Sequence, residues 1–178
     1  MEPTAFVPRV QKPKQRKGFR VAVGLCAVLV VLAALGAAVF TLGFKRYLVP
    51  SVSMEPTLQQ GDHVWVNQLA YRFDDVEAGD VVILDTPGDA PSDVGLIVKR
   101  VVALAGDRIE ARPSGGVYVN GRRLDEPYLA PDTRTRSLPL QRVPDGQVFV
   151  LGDNRDQSQD SRVFGPVDED AVVGRVML

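Results

Sequence analysis

The sequence predicts an all-β domain, its antiparallel sheets forming a partly closed barrel with a small cap lobe, preceded by one N-terminal transmembrane helix. Three observations carry that reading. Val21 to Phe44 runs for 24 residues without a charge. Beyond residue 46 no long apolar pattern of helical period appears, and short β-rich runs recur between Gly, Pro and Asp instead. Val117-Tyr118-Val119 meets Asn120-Gly121, a pair suited to a two-residue hairpin turn because both central positions of that turn need positive φ.

The apolar run comes first. At roughly 1.5 Å per residue its helix spans about 36 Å, against a hydrocarbon core about 30 Å thick, so one tilted crossing fits. A cleaved secretory signal has an apolar region of about 7–15 residues. This run is longer, and Lys45-Arg46 closes it like a second interface. Cys26 follows bulky Leu25, where a lipid-attachment site needs a small residue, and reads as an apolar helix residue.

Residues 1–20 hold six basic side chains (Arg9, Lys12, Lys14, Arg16, Lys17 and Arg20) and one acid, Glu2, whereas two basic residues follow the run. The more basic flank stays in the cytoplasm. The expected organisation is therefore a cytoplasmic arm over 1–20, a membrane helix over 21–44 and an external domain over 45–178. Thr4–Lys17, rich in Pro and Lys, reads either as a disordered arm on anionic lipid or as a topology signal alone.

Within the external domain, His63-Val64-Trp65-Val66-Asn67 alternates as a half-buried strand does. Val81-Val82-Ile83-Leu84 is continuously apolar after the turn pair Gly79-Asp80, and Leu96 to Leu104 is long and Val-rich. Val148-Phe149-Val150-Leu151 and Val172 to Val176 complete the set. Many short strands with turn punctuation favour antiparallel sheets. Pro113 to Pro144 is richer in Arg, Pro and Asp and reads as an insertion, the cap lobe, lying within about 108–144.

Composition removes several functions. Residues 47–178 carry 13 basic and 21 acidic side chains, a net −8, where nucleic-acid binding needs a cationic footprint. One Cys excludes an internal disulfide framework and a Cys-rich zinc site. One His excludes sites built on two or three imidazoles and leaves only His63 for a Ser-His-Asp triad.

The informative count is of lysines. Of those 13 basic residues, 12 are Arg and one is Lys99. Arginine does not deprotonate in proteins, but a buried lysine does. Lys99 sits in Gly95-Leu96-Ile97-Val98-Lys99-Arg100-Val101-Val102, too apolar for a solvated face. It reads as a neutral general base or as one half of a structural ion pair. A base needs a group to activate, and seven serines lie outside the membrane: Ser51, Ser53, Ser92, Ser114, Ser137, Ser158 and Ser161. Ser51-Val52-Ser53-Met54-Glu55-Pro56-Thr57-Leu58, stiffened by proline on both sides, suits a Ser nucleophile served by a Lys base. Its other reading is a juxtamembrane linker. Gly152 to Arg162 is a dense polar loop. It reads as a calcium loop or as an ion-paired scaffold, and Asp153, Asp156 and Asp160 lack the spacing of an EF-hand.

In this order the segments resemble the bacterial type I signal peptidases, over most of residues 47–178. Ser51 to Leu58 is similar to the family's serine box, Gly79-Asp80-Val81-Val82 to its Gly-Asp box, Lys99 to Asp107 to its lysine box, and Gly152 to Gly165 to its Gly-Asp-Asn-Arg box. The departures are small: Ala103 and Ala105 stand where Gly and Pro are frequent, Gln157 for Asn, and Phe164 for Tyr or Trp. The short cap and single anchor resemble the compact Gram-positive members.

The resemblance implies a serine endopeptidase that cuts signal peptides from secreted preproteins after small residues at the −1 and −3 positions. It implies Ser53 as nucleophile, Lys99 as base, and an oxyanion hole of the Ser51 hydroxyl with the Ser53 N–H. Ser158 would orient the lysine, and Asp160 and Arg162 would brace the site. Val49, Met54, Leu58, Ile97 and Val98 align with pocket-lining positions and are equally suited to core packing. No metal or cofactor is expected. The expected partners are preproteins and the lipid bilayer, with no nucleic acid, and the enzyme is expected to act as a monomer near the secretion machinery. Two other readings stand beside this one. A self-cleaving Ser/Lys repressor-type protease shares the chemistry but has no need of an anchor. A non-catalytic membrane-anchored β-domain fits the fold but leaves a lone lysine in an apolar strand unexplained.

Overall fold

A computed structural model describes residues 17–85, 95–112 and 115–178, with the side chains of 17–20 and 42 outside that description. The Thr4–Lys17 arm lies almost wholly outside the described residues, as do Ser92 and Ser114.

Helix α1 covers Lys17–Gly43. It starts a turn before the uncharged run, because Lys and Arg are good helix formers and helical propensity does not stop where apolarity does. Its apolar side chains are exposed all round, Val21, Leu25, Val28, Leu32, Leu35 and Phe40 among them. A helix that is apolar all round, with no polar face, is built for a solvent other than water. Its stretch Val21–Thr41 is long and apolar enough to cross a membrane.

The strands follow as β1 (Phe44–Leu48), β2 (His63–Asn67), β3 (Val81–Asp85), β4 (Leu96–Ala103), β5 (Arg108–Ala111), β6 (Val117–Val119), β7 (Arg122–Arg123), β8 (Leu138–Arg142) and β9 (Gln147–Leu151). A four-residue helix α2 (Ser161–Phe164), β10 (Val167–Asp168) and β11 (Val172–Met177) close the chain. Seven strands pair antiparallel in the order β1-β2-β11-β3-β4-β9-β10 and curl into an open half-barrel. The other four form a second sheet, β7-β6-β5-β8, spanning Arg108–Arg142. Asn120 (φ 52) and Gly121 (φ 78) join β6 to β7 in the left-handed region, as the Asn-Gly pair leads one to expect. The expected strands are present, and the chain adds β1, β5, β7, β8 and β10. Those five are short, charged or at a sheet edge, so little apolar periodicity betrays them.

The core divides by strand alternation. Val49, Met54, Leu58, Val64, Val66, Val81, Ile83, Val98 and Val176 form one cluster. Val82, Leu84, Val101, Val148 and Val150 form another. A third, with Val102, Ile109, Ala111, Val117, Phe149 and Leu151, lies under the second sheet. Strand β4 serves all three, which is why its eight residues are apolar on both faces except at Lys99 and Arg100.

Candidate active site

The serine segment is a loop closed on itself. Val49 N–H donates to Asp62 O at 2.8 Å and Gly61 N–H to Val49 O at 3.0 Å. Ser51 is extended, and Val52–Met54 then form one turn of 3-10 helix. Met54 is fully buried and anchors the turn in the core, which holds Ser53 at 5 % exposure. From the far end of the chain, Asn154 N–H donates to Ser53 O at 3.0 Å and Asn154 Nδ2 to Val52 O at 3.2 Å. The turn is thereby pinned from both sides. This is the behaviour of a site and not of a linker.

Lys99 arrives from β4, in register with Val82 of β3. Its ammonium donates to Ser53 Oγ at 2.8 Å, and Ser51 Oγ donates to Ser53 Oγ at 3.2 Å. Lys99 is 3 % exposed. Burial pulls its pKa from 10.5 down to about 8. The Asp160 carboxylate pushes back upward, Arg162 pushes down and Asp153 up, and burial prevails. An amine so placed gives up its proton far more readily than a free lysine, is half neutral at about pH 8, and sits in hydrogen-bond contact with a hydroxyl.

The polar loop after β9 is a scaffold. Asp160 caps α2 by accepting from Arg162 N–H at 3.2 Å, and it accepts from Gly152 N–H at 3.0 Å. The Arg162 guanidinium grips it with Nε on Oδ1 and a terminal nitrogen on Oδ2, both at 2.7 Å. Burial alone raises the Asp160 carboxyl, but Arg162 and the Gly152 N–H prevail and hold it below its ordinary value. Ser161 Oγ accepts from Val150 N–H at 2.9 Å, a structural role. Ser158 Oγ is buried and makes no contact of strict hydrogen-bond geometry among the described residues, but it lies close enough to Asp160 to help hold that carboxyl down. It packs against Gly152, where a Cβ would lie 2.2 Å from it and 2.5 Å from Ser53 O. Only glycine lets the loop approach the serine turn this closely.

The sequence did not reveal how this scaffold reaches the rest of the domain. Arg100, next to Lys99 on β4, turns to the other face and meets Asp153 with Nε on Oδ1 at 2.9 Å and NH2 on Oδ2 at 2.7 Å. Thr57 Oγ1 donates to the same carboxylate at 2.5 Å, and the guanidinium lies 3.9 Å over the Tyr128 ring. Arg155, fully buried, donates to Gly152 O at 3.0 Å and to Thr135 Oγ1, and it pairs with Glu126. Glu126, Tyr128 and Thr135 belong to the segment between β7 and β8. The signal for the first contact is Arg100 itself, since a guanidinium in apolar sequence demands a carboxylate, whereas Arg155 stands in polar sequence and gives no such signal.

Of the expected pocket residues, Val49, Met54, Leu58 and Val98 meet in one buried cluster. Ile97, half-buried, packs with the Val82 cluster, because neighbours on a strand point to opposite faces. His63 is exposed on β2, and Ser53 Oγ takes its contacts from Lys99 and Ser51.

The chain is similar to signal peptidases over most of its length. A family profile described as signal peptidase, peptidase S26, matches residues 21–178. A probable signal peptidase I-2 of Synechocystis is 39% identical over 158 residues, 87% of this chain and 70% of its own length. Signal peptidase IB of Staphylococcus aureus is 33% identical over 171 residues, 86% of this chain and 84% of its own. A crystal structure of a signal peptidase I from Enterococcus faecalis superposes with a TM-score of 0.49 at 28% identity, covering 58% of this chain and 98% of that one. With a serine and an amine in contact in the β-domain, and with the matched profile and the Synechocystis and Staphylococcus relatives, the chain belongs to the signal peptidase, peptidase S26, family of serine endopeptidases.

Proposed function

We propose that Ser53 is the nucleophile and Lys99 the general base with which this membrane-anchored endopeptidase removes signal peptides from secreted preproteins. The observation that carries the assignment is the buried 2.8 Å contact between Lys99 Nζ and Ser53 Oγ. When the amine is neutral the hydrogen bond reverses, and Ser53 Oγ–H donates to the Nζ lone pair. Oγ attacks the scissile carbonyl carbon as the proton moves to Nζ. The ammonium then protonates the leaving amine, and the neutral amine takes a proton from the water that releases the acyl group.

The Ser51 hydroxyl and the Ser53 N–H hold the oxyanion. The contact of Ser51 Oγ with Ser53 Oγ at 3.2 Å supports this reading. Donors of this kind are worth about 3 kcal/mol each. Asp160 and Arg162 brace the loop, and Ser158, buried beside the Asp160 carboxylate, orients the lysine. Val49, Met54, Leu58 and Val98 are core residues, so of the expected pocket residues it is half-buried Ile97, on the Lys99 face of β4, that is open to small residues before the cut. The asymmetry of basic flanks around α1 supports a cytoplasmic N-terminus and an external catalytic domain. The enzyme acts as a monomer beside the secretion machinery. The test is incubation of a purified preprotein with the full chain and with its Ser53→Ala variant. Only the wild type should release the mature protein, and equal cutting by the variant would remove Ser53 from the mechanism.

A further inference from the structure

The charges of the external domain are segregated. Between Arg108 and Arg142 lie seven arginines and four carboxylates, whereas the rest of residues 47–178 has six basic and seventeen acidic residues. The second sheet sorts them further. Ile109, Ala111 and Val117 face its buried side, so alternation turns Arg108, Glu110, Tyr118 and Arg142 to the outer side. There β5 and β8 set Arg108 directly opposite Arg142, and β6 and β7 set Tyr118 opposite Arg123. Like charges directly opposite are destabilising, and the fold gains nothing from Arg108 there, which has no ion pair among the described residues. Arg142 has only the exposed Asp145, at 2.9 Å. Beside them Leu140 is 59% exposed, in a depression of about 410 Å³ lined by Arg108, Glu110, Asn120, Gly121 and Leu140.

We propose that this outer face, centred on Arg108, Arg123, Arg142 and Leu140, is a docking surface for an anionic phospholipid bilayer. The argument for that occupant is charge complementarity combined with confinement. Arginines are attracted to an anionic leaflet within a Debye length, and the exposed leucine offers an apolar insertion next to them. The chain carries a helix fit to cross a membrane, so its domain already works within reach of such a surface. A mostly acidic domain is otherwise repelled by that leaflet, and the arginine face sets which side approaches.

The test uses the full chain in vesicles. Cys26 is the only cysteine, so Cys26→Ser with Leu140→Cys carries one environment-sensitive fluorophore on the face. In vesicles of phosphatidylcholine with phosphatidylglycerol, a headgroup-attached quencher should reduce emission. The effect should vanish in pure phosphatidylcholine, at high salt, and in the added Arg108→Glu/Arg142→Glu pair, which should still cleave preprotein in detergent at the wild-type rate. Should that pair not fold, the salt titration of the parent decides. Equal quenching in neutral and anionic vesicles, none in either, or insensitivity to salt would overturn the proposal. A response to soluble polyglutamate but not to phosphatidylglycerol would assign the face to an acidic protein and overturn it as well.

Discussion

Gly152 and Asp160 are joined by a hydrogen bond from the Gly152 N–H to Asp160 Oδ2 at 3.0 Å. Through it the loop beside the serine turn is held by the carboxylate that most strongly raises the Lys99 pKa. Asp160→Asn keeps the shape and removes the charge, leaving burial and Arg162 to depress the lysine against Asp153 only. The ascending limb of kcat/KM against pH, expected near 8 for the wild type, should move to lower pH. A limb that stays in place or moves upward would show that Asp160 does not act on the lysine electrostatically.

Lys99 is a cost to the fold. Its folded pKa of about 8 lies below the 10.5 of the free side chain. Between those values the unfolded chain holds a proton that the folded chain has released, so stability rises with pH across the window. The full cost, about 3 kcal/mol at about 1.36 kcal/mol per unit, is present below it. Lys99→Met should therefore be inactive and melt higher than wild type at pH 7. Lys99→Arg should be inactive because guanidinium keeps its proton. Thermal unfolding beside a cleavage assay checks both, and a lower melting temperature for Lys99→Met contradicts the argument.

Gly152→Ala asks for space that is absent. The new methyl would meet the Ser53 carbonyl at 2.5 Å, a backbone atom that cannot swing away. The serine turn must shift, and kcat should fall by about a hundredfold or more, roughly 2.7 kcal/mol of barrier, in a variant that still folds. Near-normal turnover would mean that the turn tolerates displacement.

His63→Gln should cleave at the wild-type rate, and EDTA should leave the wild type unaffected. The imidazole is exposed on β2, and the proposed steps use Ser53 and Lys99. A loss beyond about a hundredfold would return the histidine to the mechanism, and a loss reversed by added metal would give the Gly152–Arg162 loop a ligand.

Much of this site was legible before the fold. Lys99 stood out because an arginine-rich domain spent its single lysine in an apolar strand, and desolvation is the physics that such a placement exploits. The Asn120-Gly121 turn announced itself through backbone sterics. Neither Glu126 nor Tyr128 could be read, because each lies in an irregular segment and derives its meaning from a guanidinium more than twenty residues distant. Ile97 and Val98 looked alike in sequence, and only the sheet assigned them to different clusters. The edge strands β7 and β10, two residues each, are too short for any period to show.

Glu126→Ala should be among the most damaging changes outside the proposed dyad. It leaves the buried Arg155 without its carboxylate, and breaking such a pair costs about 3–5 kcal/mol. The melting temperature should drop steeply, with Glu126→Asp recovering part of the loss. An unchanged melting temperature would mean that Thr135 and the Gly152 carbonyl suffice for Arg155.

The same buried guanidinium limits how freely the segment between β7 and β8 can be exchanged. Arg155 belongs to the loop after β9, while Glu126 and Thr135 belong to the segment between β7 and β8. A lobe grafted here from a relative must bring its own acceptors to the right place, or the chimera exchanges a closed interface for a stranded cation. The β7–β8 segment is thus heritable only as a matched set with the loop it touches, and swaps that ignore the match should fail in assembly before they fail in chemistry.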